Sequence, residues 1–308
     1  MSMNDRMLGE CADHEIADYL ELIGSPEEAE AFRAAAAGGQ GLFRPQRPYA
    51  YTASRIGFIE ALTTAETRSP ILSLGEIAAD QSLRGQQVKV TLDAFYAENY
   101  PGLGRHRVLC EFSGKNQAHD EVEELKFASE IKVNDGESAA LSGKPIFMGL
   151  RVGDNGIAFT GRTINLKSED HDVIVEALDS SAFKAGLTLL ASAQPALKPF
   201  VSLATGCIKS ILSQSDNKVV FDFTLGLDFA GSPTSARLRH GTYIVVQAPT
   251  QAWNWKSFVW DHSAERIVKR VGGEPLNLNY LALGVSKYDS APPLSAGTLG
   301  AGATAAAS

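Results

Sequence analysis

The stretch Val88-Lys89-Val90-Thr91-Leu92 alternates apolar and polar side chains, and this period of two is typical of a strand with one buried face. The same alternation returns over residues 107–112 and, much later, over residues 218–229. Short strands with glycine-containing turns favour antiparallel sheets that pack face to face. The sequence therefore predicts a mainly β fold of the α+β type, an antiparallel β-sandwich with N-terminal helices and a helical insertion between two groups of strands.

The two groups of strands are predicted over residues 88–166 and 218–286, and the helical insertion over residues 172–215. Apolar side chains recur at helical spacing along one side of residues 195–213, which predicts an amphipathic helix. Helices that come in one block, rather than between successive strands, argue against a parallel sheet. We therefore expect one sandwich domain over residues 49–288.

The two ends of the chain differ from this central domain. Ser25-Pro26 supplies the N-cap and first-turn proline of a helix start, and apolar residues at helical spacing precede it. Residues 10–30 contain eight acids and no Lys or Arg. Residues 1–48 are therefore predicted to form an acidic helical arm and linker, and residues 289–308, rich in Gly, Ala and Ser, a flexible tail.

Several local patterns are interpreted as turns or irregular chain. Gly153-Asp154-Asn155-Gly156 contains residues that tolerate positive φ, so residues 146–166 are predicted to form a hairpin. Ser113-Gly114-Lys115 and Ser142-Gly143-Lys144 are interpreted as turns between strands, because neither has the flanking residues that a phosphate loop needs. Residues 49–79 mix aromatic residues with proline and glycine and are predicted to be irregular.

Composition argues against several classes of function. The 308 residues include 28 Lys and Arg against 36 Asp and Glu, a formal net charge of -8, which disfavours nucleic-acid binding. Cys11, Cys110 and Cys207 are far apart, so neither a disulfide framework nor a zinc site is predicted, and no cofactor is expected. The N-terminus lacks the basic stretch and apolar run of a secretory signal, so we expect a cytoplasmic protein.

Two groups of residues are candidates for binding. Trp253 and Trp255 would share one face of an extended segment and could form a stacking platform, although such a pair is also typical of a core. Residues 180–215 contain Lys184, Lys198 and Lys209 and no acid. An apolar helix face edged with lysine could meet an anionic membrane surface.

The sequence contains no nucleophile or phosphate-binding motif at the spacing that catalysis requires. The leading interpretation is therefore a non-enzymatic binding or self-assembly protein that acts through contacts with a protein partner or with its own copies. One alternative is a membrane- or lipid-interacting effector that uses the helical insertion. A second alternative is a hydrolase with a site built from loops, for which Asp93, His106 and Glu111 are the candidate residues.

Overall fold

A computed structural model of the chain contains three helices and fourteen strands in the residues that it describes, which are 6–37, 44–61, 66–118, 121–167, 178, 198–213, 216–230 and 236–288. The helices are α1 Asp13–Leu22, α2 Pro26–Ala37 and α3 Lys198–Leu212. The strands are β1 Ala53–Glu60, β2 Arg68–Pro70, β3 Leu72–Ser73, β4 Gln87–Ala97, β5 His106–Ala118, β6 Glu121–Val133, β7 Glu137–Arg151, β8 Ile157–Leu166, β9 Lys218–Asp228, β10 Ala236–Arg237, β11 Gly241–Ala248, β12 Phe258–Asp261, β13 Arg266–Lys269 and β14 Tyr280–Lys287.

The strands form three sheets. The large sheet has the order β3-β1-β11-β14-β4-β7, the second sheet β10-β9-β8-β5-β6, and the small sheet β13-β12-β2. Neighbouring strands are antiparallel except for the two-residue pair of β9 with β10. The predicted fold class is therefore confirmed: the chain is mainly β, its antiparallel sheets pack together, and α3 lies between the two groups of strands along the chain.

Both faces of the large sheet carry a buried cluster, which makes this sheet the middle of three layers. Val245 and Leu283 belong to the buried cluster that the large sheet shares with the second sheet. Ile244 and Ala282, their neighbours along the strands, belong to a separate cluster with Ile267 of the small sheet. Successive side chains of a strand point to opposite faces, so the small sheet covers the face of the large sheet that is turned away from the second sheet. We call this the outer face of the large sheet.

The N-terminal helices form where the sequence predicts them, and their apolar sides join the main core. Ile16 and Leu20 of α1 and Phe32 of α2 are fully buried in the cluster that contains the sandwich core. The amide of Asn165 on β8 donates a 2.9 Å hydrogen bond to the hydroxyl of Tyr19 on α1. The predicted boundary of the sandwich domain near residue 48 stays a prediction.

Helix α3 confirms the amphipathic helix that was predicted inside the insertion. Ala204, Ile208 and Ile211 are buried, whereas Lys209 is exposed. Of the helices in the described part of the chain, none is both long enough and apolar enough to cross a membrane. Residues 172–177, 179–197 and 214–215 of the insertion and the C-terminal segment 289–308 lie outside the described residues.

The predicted hairpin over residues 146–166 is wrong. Strand β7 pairs with β4 in the large sheet, whereas β8 pairs with β5 and β9 in the second sheet. The turn at residues 153–156 has only an isolated bridge between Gly153 and Gly156, and it carries the chain from one sheet to the other. Turn residues predict that the chain reverses, but they do not determine whether the two strands pair.

Two further predictions are corrected. Ser113-Gly114-Lys115 lies inside β5 and Ser142-Gly143-Lys144 inside β7, so neither is a turn between strands. Gly143 has a φ of +74°, which accommodates an irregularity within the strand. Residues 53–60, predicted to be irregular, form β1, which pairs with β11 along all eight residues. Phe58 and Ile59 are both buried, each on a different face, and this removes the alternation that identifies a strand in a sequence.

Candidate functional site

A cleft of about 370 Å³ opens on the outer face of the large sheet, beside the small sheet. Its volume is at the lower end of the range typical of sites for small ligands. The cleft is lined by residues of β1, β4, β7, β11, β12 and β14 and of the loop after β12: Ile59, Glu60, Ala61, Asp93, Ala94, Gly143, Thr242, Trp260, His262, Glu265 and Ala282.

The floor of the cleft is low because small residues occupy adjoining positions of three neighbouring strands. Ala282 on β14 lies directly opposite Ala94 on β4, and Gly284 on β14 lies opposite Thr242 on β11. Directly opposite residues on neighbouring strands share a face of the sheet. Without large side chains at these positions, the outer face has a depression beside the small sheet.

Asp93 enters the cleft from a β-bulge. On the β14 side, Leu92 faces Leu283 and Ala94 faces Ala282, so Asp93 is an extra residue without a partner. The pairing with β7 is interrupted at the same place. Bulges re-aim a side chain relative to a regular strand and are common beside functional sites.

The carboxylate of Asp93 is half-buried and depends on Gly284 for its space, whereas Gly143 is only in ordinary contact range. The hydroxyl of Thr91 donates a 2.7 Å hydrogen bond to Oδ1 of Asp93. A Cβ atom on Gly284 would lie 2.6 Å from Oδ2 of Asp93, and one on Gly143 would lie 3.8 Å from Oδ1. Burial raises the pKa of Asp93, while the hydrogen bond from Thr91 and the charge of Lys89 oppose the rise.

The wall of the cleft is the hairpin loop that joins β12 to β13. Asp261 fixes this loop by accepting hydrogen bonds from the Ser263 hydroxyl at 2.6 Å and from the backbone N–H of Ala264 at 3.1 Å. With the guanidinium of Arg68, these bonds lower the pKa of Asp261 to about 2. Nε2 of His262 lies 2.9 Å from the hydroxyl oxygen of Ser69.

The lining of the cleft is acidic. It contains three carboxylates, those of Glu60, Asp93 and Glu265, and no Lys or Arg. Glu60 pairs at its rim with Arg239, at 3.3 Å, whereas no ion pair links Asp93 to a described Lys or Arg. Within the described residues, no three His, Cys, Asp or Glu side chains are placed to hold a metal ion.

The three residues that the sequence offers for a hydrolase do not form one site. Asp93 lines the cleft on the outer face of the large sheet. Nε2 of His106 lies 2.9 Å from Oδ1 of Asp135, and His106 is fully buried. Glu111 is buried on the second sheet, where it contacts Nζ of Lys126 at 3.0 Å and the guanidinium of Arg162 at 2.9 Å.

The tryptophan pair does not form a flat platform. The rings of Trp253 and Trp255 are 5.2 Å apart at 72°, and Trp253 stacks instead on Phe258. Trp255 is buried and its indole N–H donates a 3.0 Å hydrogen bond to the carbonyl of Ile56. Trp260, the third tryptophan, is the one that lines the cleft.

The lysines of the insertion provide no described site. Lys184 and the side chain of Lys198 lie outside the described residues, and Lys209 is exposed on α3. Two acids of the N-terminal segment pair with arginines rather than with these lysines. Arg44 contacts Asp13 at 2.9 Å, and Arg6 contacts Glu15 at 3.0 Å.

The sequence offered Asp93 only as a candidate for a hydrolase, and it did not point to the residues that surround it in the cleft. Glu60, His262 and Glu265 come from β1 and from a hairpin loop, and no local motif joins them to β4. The cleft exists because the small sheet packs on the large one, which is a long-range contact. A row of small residues at alternate strand positions was the one available signal in the sequence.

Comparison of the chain with protein-family models, with curated proteins and with solved structures finds no match in any of the three.

Proposed function

We propose that this chain is a non-enzymatic binding protein and that its cleft takes a cationic side chain, Arg or Lys, of a protein partner. The observation that carries the proposal is the carboxylate of Asp93, which a bulge directs into an acid-lined cleft where no described Lys or Arg pairs with it. A half-buried carboxylate without a cation costs stability, and an incoming cation removes that cost.

The other lining residues support a cationic ligand. Glu60 and Glu265 add negative charge around the opening, and Trp260 presents an aromatic ring, which attracts a guanidinium or ammonium group through its π face. The formal net charge of -8 would also attract a basic partner over longer distances. Arginine suits the cleft best, because its planar fork can bond a carboxylate and stack on an indole at the same time.

A hydrolase is the second candidate, favoured by the contact of His262 with Ser69 at the edge of the cleft. His262 would then transfer protons together with Asp93, and Ser69, which is buried, would position the imidazole. The membrane alternative rests on lysines of the insertion and stays a prediction, as do the cytoplasmic location and the absence of nucleic-acid binding.

Isothermal titration calorimetry of the full chain with capped peptides tests the proposal. The probe is Gly-Arg-Gly, and the matched neutral peptide is Gly-Gln-Gly. We expect saturable binding of the arginine peptide, at least about tenfold weaker binding by Asp93→Asn, which is about 1.4 kcal/mol, and unchanged binding by Asp154→Asn, which alters an exposed aspartate in a remote turn.

Equal binding of the arginine and glutamine peptides, or unchanged binding by Asp93→Asn, would contradict the proposal. Turnover of ester or peptide probes that is lost in His262→Ala would favour the hydrolase instead.

A further inference from the structure

Strand β6 forms a long open edge of the second sheet. It pairs with β5 over thirteen residues without a register shift, and among the described residues no strand pairs with its other side. Helix α3 packs beside β6, but no described group outside β5 hydrogen-bonds to its backbone. Half of the N–H and C=O groups of the strand therefore point outward as a template for another strand.

Within the described residues, the neighbouring edge strand β7 carries two devices against edge pairing that β6 lacks. Strand β7 carries the exposed Pro145, the positive-φ Gly143 and three interruptions in its pairing with β4. Proline and bulges are devices that prevent edge-to-edge pairing. Strand β6 has the sequence EVEELKFASEIKV, without proline, glycine or bulge. Of these two edges in the described part of the chain, β6 is thus the better suited to strand addition.

The side chains on the charged face of β6 identify the occupant of that edge. Four charged residues flank the small, buried Ala128 on the same face: Glu124 and Lys132 are exposed, whereas the side chains of Lys126 and Glu130 are only 13% and 10% exposed. We propose that two copies of this chain join through antiparallel pairing of their β6 strands about a twofold axis at Ala128. Glu124 then faces Lys132 of the second copy, and Lys126 faces Glu130 of the second copy.

This register is the only one of its neighbours in which every facing charge is opposite. The twofold axis must pass through a residue. If it passed midway between two residues, each core-facing side chain of one copy would lie opposite a side chain of the charged face of the other copy. An axis at residue 126 or 130 puts like charges on the axis itself. An axis at residue 127 sets Glu124 against Glu130, and one at residue 129 sets Lys126 against Lys132.

In the proposed dimer, the two pairs farthest from the axis, each between Glu124 of one copy and Lys132 of the other, have the most exposed side chains. The side chain of Lys132 is 52% exposed, and its Nζ lies 4.0 Å from a carboxylate oxygen of Glu130. Glu124 is exposed as well. Glu130 and Lys126 already contact Arg107 and Glu111 of β5, so pairing across the axis would extend those two ion pairs into one network over both sheets.

Sedimentation velocity on the full chain at about 0.1 M salt, where charge interactions still act over about 10 Å, tests the dimer. We expect a species of twice 32.9 kDa for the wild type. Glu124→Lys alone, or Lys132→Glu alone, replaces two attractive contacts by two repulsive ones and should raise the dimer dissociation constant at least about tenfold. The double variant Glu124→Lys with Lys132→Glu should restore the dimer, and Glu274→Lys, an exposed change in the loop after β13, should leave it intact.

A wild type that stays monomeric up to about 100 μM, a concentration well above the dissociation constant of a specific dimer, would overturn the proposal. A dimer that neither single reversal weakens would also overturn it. So would a double variant that is folded by circular dichroism and remains monomeric. Because the proposed dimer edge is on the second sheet and the cleft on the large sheet, failure of one proposal leaves the other untouched.

Discussion

Under the proposed function, stability and binding make opposite demands on Asp93. Its pKa is raised by burial, so between the unfolded and folded pKa values the folded chain binds more protons than the unfolded chain. Stability therefore falls as pH rises through that window, and the loss persists at neutral pH. A carboxylate whose pKa is raised by burial and which lies in a cleft is typical of a functional position.

We expect Asp93→Asn to make the protein more stable at pH 7, because it removes the buried charge and keeps an oxygen that can accept the hydrogen bond from Thr91. Water screens part of the charge, so the gain in melting temperature should be small, about 1–3 °C. Differential scanning calorimetry at pH 7 and at pH 4 measures it, and the gain should shrink at pH 4. A lower melting temperature at pH 7 would mean that the carboxylate has a cation partner in the folded protein.

Gly284 should tolerate no side chain. A Cβ atom there would lie 2.5 Å from the Thr91 hydroxyl and 2.6 Å from Oδ2 of Asp93. We expect Gly284→Ala to destabilise the fold by about 1–3 kcal/mol in urea unfolding and to weaken peptide binding, since Asp93 must move.

Gly226 on β9 is the matched control, because a Cβ atom there would have no atom of a described, non-adjacent residue within 4 Å. Gly226→Ala should be neutral or stabilising, since alanine restricts the unfolded chain. Equal effects of the two substitutions would show that steric contact at Gly284 is not the cause.

A buried ion-pair cluster links three neighbouring strands of the second sheet. It consists of Glu111, Arg162 and Lys126. Glu111 on β5 is only 2% exposed and contacts both cations, one from β8 and one from β6. Arg162→Met leaves this carboxylate with a single cation, so we expect a loss of about 2 kcal/mol in urea unfolding. Lys269→Met, which breaks an exposed pair with Glu274, should cost about 0–1 kcal/mol. A similar loss in both variants would contradict the structural role of the buried cluster.

The elements that the sequence predicts well are those whose information is local. Helix α2 begins at Pro26, directly after the residue that the sequence assigns as N-cap, and α1 follows its apolar spacing. Strands β4 and β5 alternate clearly because one face is apolar. Strand β1 was missed because Phe58 and Ile59 are both buried, one in each of the two cores.

Which strands pair is information of a different kind. The turn after β7 contains the residues of a hairpin, yet β7 and β8 belong to different sheets. The segment Ser142-Gly143-Lys144 has the composition of a turn, yet it lies inside a strand, where Gly143 adopts a positive φ. The cleft depends on such pairings throughout, so Asp93 could be identified from its strand while Trp260 and His262 could not be placed beside it.

At the scale of the whole molecule, the two proposed surfaces belong to different layers. The cleft lies between the large and small sheets, and the open edge of β6 belongs to the second sheet. A dimer through β6 would carry two clefts and could bind a partner with two arginine segments more tightly than either segment alone. Self-association and partner binding would then be two aspects of one activity.

The central claim is that the cleft binds a cationic side chain through Asp93, and a crystal structure of the chain grown with the Gly-Arg-Gly peptide tests it most directly. We expect the guanidinium in the cleft, with nitrogen atoms about 2.7–2.9 Å from the Asp93 carboxylate and its plane against Trp260. A peptide bound elsewhere, or a cleft that stays without peptide at a saturating concentration, would contradict the claim.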